Sequence, residues 1–431
     1  VPTETPPTPA AVAAAEIGSG TLLALGAGDG RVSVLQNDAW LTPQMTDRLA
    51  ACLATGSTFI DSQGVLWAGC TDLLRSTDGG ATWALAPGER IFGSRSLIDA
   101  TGQIWWLAQE QITVINAADA RVVATYVAAD VTGEDGFPTE TAAFAADGTL
   151  WLGGLNISGS ELVSFDGSTW TAYGENEALG VQSFESPAAV LGLTDGRVLV
   201  ATSSNLYTFE DGALVPQVPT SISFDFPSTV TSMVELPDGT IALGSFEGLT
   251  VWDGATLTQS GRDQGLPADK INDLVVDASG RLWVATDAGI AVQDGTGGWQ
   301  AATSATSGLN DSRIVALAVT GAPALPPPSE TVRTAEVRGR IVADGSPVAG
   351  TSVLLCSESP KSFFDESPCE AMAVALAATT DADGNFTLAD VPIGTFSLAV
   401  QRADGQWVSF IGDIPVLDAG ELVSLGDIDV N

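Results

Sequence analysis

Asp277-Ala-Ser-Gly280-Arg-Leu-Trp283 is one copy of a pattern, Asp-x-x-Gly-x-apolar-Trp, that recurs along most of this chain. Asp61-Ser-Gln-Gly64-Val-Leu-Trp67 and Asp99-Ala-Thr-Gly102-Gln-Ile-Trp105 repeat it in full. Shortened copies stand at Asp147-Gly148-Thr-Leu-Trp151, Asp195-Gly196-Arg-Val-Leu199 and Asp238-Gly239-Thr-Ile-Ala242, and Gly20-Thr-Leu22-Leu23 lacks the Asp. With Gly20, Gly64, Gly102, Gly148, Gly196, Gly239 and Gly280 as anchors, the spacings are 44, 38, 46, 48, 43 and 41 residues. A period of about 40–50 residues belongs to propeller blades or to helical repeats. The local texture decides: Leu150-Trp-Leu-Gly153, Val198-Leu-Val-Ala-Thr202 and Leu282-Trp-Val-Ala-Thr286 are short apolar runs bounded by Gly, Asp and Ser, and they read as strands.

Each unit resolves into four strands: an apolar one before the Asp, the motif strand, a third such as Gly248-Leu-Thr-Val-Trp252 or Gly289-Ile-Ala-Val-Gln293, and a last one near a second Trp. Asp and Gly make the first turn, because glycine supplies the positive φ that a tight hairpin demands. The motif Trp packs between adjacent blades. The strand Ser312-Arg-Ile-Val-Ala-Leu-Ala-Val-Thr320 is followed by Gly321, Pro323 and Pro326-Pro-Pro328, which stop its unit after one strand. The first copy, starting at Gly18, has no strand before it. One strand from the C-terminal side and three from the N-terminal side complete a single blade. Six internal blades and this composite one make seven, closed without a free sheet edge around the ring.

Past the prolines, Val337-Arg-Gly-Arg-Ile-Val-Ala, Thr380-Asp381-Ala-Asp383-Gly384-Asn385 and Val391-Pro-Ile-Gly-Thr-Phe-Ser-Leu-Ala-Val400 are strands and tight turns of a small β-sandwich. The expected fold is all-β: a seven-bladed β-propeller with a composite closing blade, then the sandwich. The divisions are a Thr/Pro/Ala-rich tail over 1–17, the propeller over 18–321, a stiff Pro-rich linker over 322–331 and the sandwich over 332–431.

The 431 residues carry a formal charge of −37, with 53 acidic residues against 14 Arg and two Lys, Lys270 and Lys361. Such a field repels phosphate backbones and anionic lipid surfaces, so nucleic acid is not an expected partner. It suits a solvated acidic surface, or acidic faces bridged by divalent cations. No apolar run approaches the ~18 residues of a membrane helix, so no span is expected. Four cysteines fall into two local pairs, Cys52 with Cys70 and Cys356 with Cys369. Cys52 and Cys70 flank the Asp61 turn at similar distances, where a hairpin would set them nearly opposite, although other pairings stay open on count alone. Two disulfides imply an oxidising compartment, and Val1-Pro-Thr-Glu-Thr-Pro-Pro-Thr-Pro9 reads as a mature end left after removal of an export signal.

The chain contains no His. That removes Ser-His-Asp and Cys-His catalysis, imidazole metal ligands and imidazole proton shuttles together. Paired carboxylates could serve glycoside hydrolysis, but among 53 acids some pair always lies close, so they single out nothing. Asp381-Ala-Asp383-Gly384-Asn385 is a turn rather than a calcium loop, because the glycine comes too early and Pro392 stands where the closing Glu should be. No catalytic residue, cofactor or metal site is expected.

The units resemble the two-component-regulator type of propeller repeat, most clearly over residues 271–291. Arg75-Ser-Thr-Asp78-Gly-Gly80-Ala-Thr-Trp83 is similar to the Asp-box, the Ser-x-Asp-x-Gly-x-Thr-Trp turn of sialidase-like propellers, which in those families sits away from the active site. Residues 337–400 resemble the carboxypeptidase regulatory-like, transthyretin-like sandwich of secreted and surface proteins, with the turn at Asp381 as its signature. These resemblances imply fold and setting, and neither implies a reaction.

The expected function is that of a non-catalytic extracellular structural protein. Copies would assemble into a cell-surface filament, sheath or layer, the N-terminal tail adding a strand to the edge of a neighbour's sandwich. The alternative is a secreted or surface-anchored propeller that binds a protein or glycan on one face, and a propeller hydrolase or lyase ranks third.

Overall fold

The computed structural model describes residues 19–27, 31–41, 44–45, 56–69, 73–86, 95–119, 121–155, 161–173, 186–219, 226–329, 332, 334–357, 368–369, 375–402, 404–416 and 420–430. Its elements are almost all strands. Thr141–Phe144, Leu150–Gly153, Leu162–Phe165 and Trp170–Ala172 form a four-stranded sheet in chain order, each strand antiparallel to the next. Leu150–Gly153 is buried at every position. A strand covered on both faces by neighbouring sheets needs apolar residues on both, which is why the motif strands read as continuous runs and not as alternations.

Among the described residues, seven such sheets lie between residues 19 and 322. Their first strands, Ser57–Ile60, Arg95–Ile98, Thr141–Phe144, Ala189–Gly192, Val230–Glu235, Ile271–Val276 and Ile314–Ala322, neighbour one another in a closed ring. Short polar side chains stitch these strands together where no sheet ladder runs. Ser57 Oγ accepts from Ser96 N at 2.8 Å, and Thr141 Oγ1 accepts from Val190 N at 3.0 Å. Thr231 Oγ1 donates to Ile271 O and Asn272 Nδ2 to Ile314 O, both at 2.8 Å.

The seam is composite. Ile314–Ala322 pairs antiparallel with Ser19–Gly26, and Val32–Gln36 and Ala39–Leu41 complete that sheet. Gly20 lies opposite Gly321 in this ladder. A Cβ on Gly20 would stand 2.1 Å from Thr320 O, and one on Gly321 would stand 2.4 Å from Ser19 O. Gly20 therefore stands inside its strand, where it serves close approach of two backbones and not a hairpin turn. One sheet gains a fifth strand, Gln44–Met45, parallel to Thr82–Leu85.

The motif tryptophans fill the space between sheets. Trp67 packs with Ile104, Trp106 and Ile115 of the following sheet, and Trp283 packs with Leu22, Leu35 and Leu317 of the composite one. The Pro-rich segment is not a free spacer. Leu325 is buried in the same cluster as Trp283, Gln300 Nε2 donates to Leu325 O at 3.0 Å, and Arg281 Nη2 donates to Pro323 O at 2.5 Å.

The C-terminal residues form two further sheets. Thr334–Ala343 lies between Asn385–Pro392 and Leu422–Asp429, and Ser352–Cys356 lies between Ala375–Thr379 and Gly394–Gln401, which pairs with Trp407–Val416. Val337, Ile341 and Phe386 from the first share one apolar core with Val353, Leu355 and Leu398 from the second. Cys356 and Cys369 are disulfide-bonded, with Cα atoms 5.3 Å apart. Cys52, Cys70 and the tail over 1–17 lie outside the described residues.

Candidate functional site

The motif residues do not converge. In each full copy the aspartate closes its own hairpin and holds its own tryptophan. Asp61 Oδ1 accepts from Gln63 N at 2.8 Å and Val65 N at 3.0 Å, while Oδ2 accepts from Trp67 Nε1 at 3.2 Å. Asp99 and Asp277 do the same, with Trp105 Nε1 at 2.8 Å and Trp283 Nε1 at 3.0 Å. Burial would push these two carboxyls up, but the bonds from Thr101 and Trp105, and from Ser279, Trp283 and Arg281, hold both below the usual range.

The shortened copies are a different turn chemistry. Gly148, Gly196 and Gly239 align with Gly64, Gly102 and Gly280: each amide bonds the carbonyl three residues back, and every φ falls between +79° and +92°. The place of Asp61 is then taken by Ala145, Leu193 and Leu236. Asp147, Asp195 and Asp238 sit two residues later, where each carboxylate takes only a local amide, Thr149 N at 2.9 Å, Arg197 N at 3.0 Å and Thr240 N at 3.0 Å, with Arg197 or Thr240 side chains added. Trp151 packs against Tyr173 and Phe209 without such a carboxylate.

Asp78 organises another turn, accepting from Ser76 Oγ at 2.8 Å, Thr82 N at 2.9 Å and Thr82 Oγ1 at 2.5 Å, while buried Trp83 donates to Gly80 O at 3.0 Å. The Thr82 hydroxyl, the Thr82 amide and Ser76 lower the Asp78 pKa to about 2. Asp381 likewise takes Asp383 N and Asn385 N at 2.9 and 2.8 Å. All of these are scaffolding distributed around the sheets.

What does converge is the end of the ring where the first strands begin. Residues in or immediately before all seven line a cavity of about 330 Å³, among them Gly56, Arg95, Glu140, Ala188, Thr231, Asp273 and Val315. Lys270, Asn272 and the exposed ring of Phe246 complete its wall. Asp273 ties three first strands together, accepting from Leu274 N at 2.9 Å, Ser232 Oγ at 3.1 Å and Leu317 N at 2.8 Å. Burial pushes the Asp273 carboxyl up against those bonds. Lys270 Nζ stands 3.3 Å from buried Asp287 and 5.0 Å from the centre of the Phe246 ring. Asn272 Nδ2 also donates to Asp287, at 2.8 Å. Arg95 is different. Its Nε is buried and meets no hydrogen-bond acceptor, and burial pushes its pKa down while Asp273 pulls the other way.

A second, open polar groove of about 810 Å³ is lined by Glu247, Gln259, Arg262, Asp263 and Asp269 among others. Glu247 and Asp269 are the chain neighbours of Phe246 and Lys270. Among the described residues, no three His, Cys, Asp or Glu side chains cluster as a metal-ligand set, and no helix is long and apolar enough to cross a membrane. None of the mouth residues belongs to the repeat motif. The signal that could have found them is polar residues in otherwise apolar first strands, Thr231-Ser232 and Asn272-Asp273, one period of 41 residues apart.

Residues 265–288 match the family model described as two component regulator propeller. No curated protein matches the chain. The fold is similar to the extracellular domain of the proposed hybrid two component system BT3049 of B. thetaiotaomicron, at 13% identity and a TM-score of 0.47 over 88% of this chain and 58% of that one. It is also similar to the extracellular domain of the proposed one component system BT4673 of the same organism, at 13% identity and a TM-score of 0.46 over 65% of this chain and 39% of that one. PorZ, a surface component of the type-IX secretion system of Porphyromonas gingivalis, gives 14% identity and a TM-score of 0.45 over 89% of this chain and 62% of PorZ. The chain thus spans less than two-thirds of each of these structures. The architecture is a β-propeller with a two-component-regulator-like repeat, and likenesses of this order assign no activity.

Proposed function

We propose that this chain is a non-catalytic extracellular binding protein: a seven-bladed β-propeller that holds its ligand at the mouth, followed by a carboxypeptidase regulatory-like sandwich. The observation that carries the reading is the convergence of seven first strands on one cavity that gathers Arg95, Lys270, Glu140 and Asp273. The chain has only 16 basic residues, so two of them in one small cavity is a concentration of a scarce charge. Ring-closed propellers bring distant residues together at this kind of opening, and concave sites with a few convergent polar groups are where ligands are held. The extracellular setting is supported by the Cys356–Cys369 disulfide.

The test is capture on glycan and peptide arrays by the native chain and by Ala188→Trp, whose indole would fill the mouth. Capture lost in Ala188→Trp supports the reading. Capture unchanged by the substitution would move the ligand site elsewhere.

Self-assembly into a filament, sheath or layer is the second reading, and one observation favours it. Val122–Val127 is an outermost strand of six residues without a charge, and Val122, Val123 and Val127 are 50%, 42% and 39% exposed. Uncharged open edges of this kind invite strand addition. Polymer formation measured by light scattering, with and without residues 1–16, tests the tail's part in it: assembly that survives the deletion removes the tail-mediated version.

A further inference from the structure

We propose that the mouth takes a small hydroxylated carboxylate, clamped by the guanidinium of Arg95, an assignment that rests on the mouth being the ligand site. Arg95 opens the first strand of its sheet and lines the cavity, and its buried Nε–H has no acceptor in the protein. Buried donors on charged groups are rarely left without a partner, because desolvating them is costly. The two buried carboxylates nearby are already engaged. Asp273 spends its two oxygens on Leu274 N, Ser232 Oγ and Leu317 N, and Asp287 is taken by Lys270 and Asn272. Asp273 offsets part of the Arg95 charge, but among the described residues no acceptor reaches its Nε–H. A planar guanidinium matches a planar carboxylate through two parallel N–H···O bonds.

Three features narrow the class. The cavity of about 330 Å³ suits one small molecule and not a polymer segment. Glu140 lines the same wall, so a singly charged anion is tolerated better than a doubly charged phosphate. Both amide hydrogens of Asn272 are spent on Asp287 and Ile314 O, and the hydroxyl hydrogen of Thr231 is spent on Ile271 O. What these two lining side chains have left to offer a ligand is acceptor capacity, which calls for hydroxyl donors on the ligand.

The experiment is isothermal titration of the full chain with gluconate, with sorbitol as its uncharged counterpart and with inorganic phosphate. Gluconate should bind, sorbitol and phosphate should bind much more weakly, and Arg95→Gln should weaken gluconate by roughly tenfold or more. Arg95→Lys, which keeps the charge and loses the fork, should fall between, and Glu140→Gln should tighten gluconate. Far-UV circular dichroism of each variant separates lost binding from lost fold, and Glu140→Gln reads the site without touching Arg95. No gluconate binding, equal binding of sorbitol, stronger binding of phosphate, or gluconate binding indifferent to both Arg95→Gln and Glu140→Gln would each overturn the assignment. A ligand captured by the native chain, blocked by Ala188→Trp and indifferent to Arg95→Gln would overturn the carboxylate alone and leave the mouth as the site. Capture that survives Ala188→Trp would remove the mouth itself.

Discussion

Replacing the turn aspartates one at a time by alanine should split a set that looks uniform in sequence. The Asp277 side chain is fully buried and accepts from Ser279 N at 2.9 Å, Ser279 Oγ at 2.6 Å, Arg281 N at 3.1 Å, Arg281 Nε at 2.9 Å and Trp283 Nε1 at 3.0 Å. Asp277→Ala leaves the indole N–H of a fully buried Trp283 without an acceptor, which costs roughly 1–3 kcal/mol. It also strips the carboxylate from Arg281, a side chain only 12% exposed, and breaking such a buried pair brings the total to about 3–5 kcal/mol. Asp61→Ala strands the Trp67 indole, but Val65 stands where Arg281 would be, so the cost falls to roughly 1–3 kcal/mol. Asp147 is exposed and holds the Thr149 amide alone, so Asp147→Ala should cost about 0.5 kcal/mol.

Urea unfolding followed by circular dichroism gives the three values, and their order is the prediction. Asp277→Asn should lie between native and Asp277→Ala, since its amide oxygen still receives the indole while the ion pair is gone. If Asp147→Ala proved as costly as Asp277→Ala, the two aspartate positions would be equivalent after all. The assignment of the indole–carboxylate bond as the purpose of the full motif would then fail.

At the seam, Gly20→Ala puts a Cβ 2.1 Å from Thr320 O at a φ of +140° and should cost about 3 kcal/mol or more. Gly254→Ala, at a φ of +92° with open space around it, should cost only about 1 kcal/mol, and equal thermal midpoints for the two variants would refute the close approach. Acid should destabilise the chain late. Asp78 is held at about 2 against a usual 3.8, first by the Thr82 hydroxyl, and Asp166, Asp253 and Asp294 are also lowered by bonds from Thr169, Thr256 and Thr296. Carboxyls depressed in the folded state contribute stability above pH 3.8 and lose it as the pH falls toward 2, so the thermal midpoint should drop in that window and less so in Asp78→Asn. An equal drop in Asp78→Asn would take that turn out of the acid response. Reducing the Cys356–Cys369 disulfide, which spans 13 residues, should remove about 3 kcal/mol from the C-terminal sheets. Calorimetry should then show one transition shifted and the propeller's unmoved. A single transition shifting as a whole would contradict a domain division near residue 332.

The ring was legible in the sequence because its period is carried by glycine, and glycine answers to a backbone constraint that no other residue meets cheaply. Gly64, Gly102, Gly148, Gly196, Gly239 and Gly280 all adopt the left-handed turn conformation. The aspartates beside them were less legible, since a carboxylate two positions later still sits near the glycine but points its oxygens at its own turn and not at an indole. Proline composition likewise announced a stiff segment at 322–331, whereas Leu325 was the residue that shows it lies against the core. The mouth was the least legible part. Arg95, Glu140, Thr231 and Lys270 come from separate repeats and are unremarkable in each, and only ring closure sets them around one cavity.

That closure also resolves an apparent conflict between a net charge of −37 and a site for an anion. Part of the acidity is held at the turns, where Asp61, Asp78, Asp99, Asp277 and Asp381 each accept two or more bonds from their own turns and Asp277 is also paired with Arg281. The rest acts through solvent, where screening at physiological salt limits its reach to about 8 Å. Inside the mouth the nearer charge dominates, and the guanidinium of Arg95, with its buried Nε lacking an acceptor, is the group an entering carboxylate would meet. Added salt should therefore strengthen the capture of a small anion by this chain up to the point where it screens Arg95 itself. A site built from surface lysines would show the opposite slope from the first increment of salt.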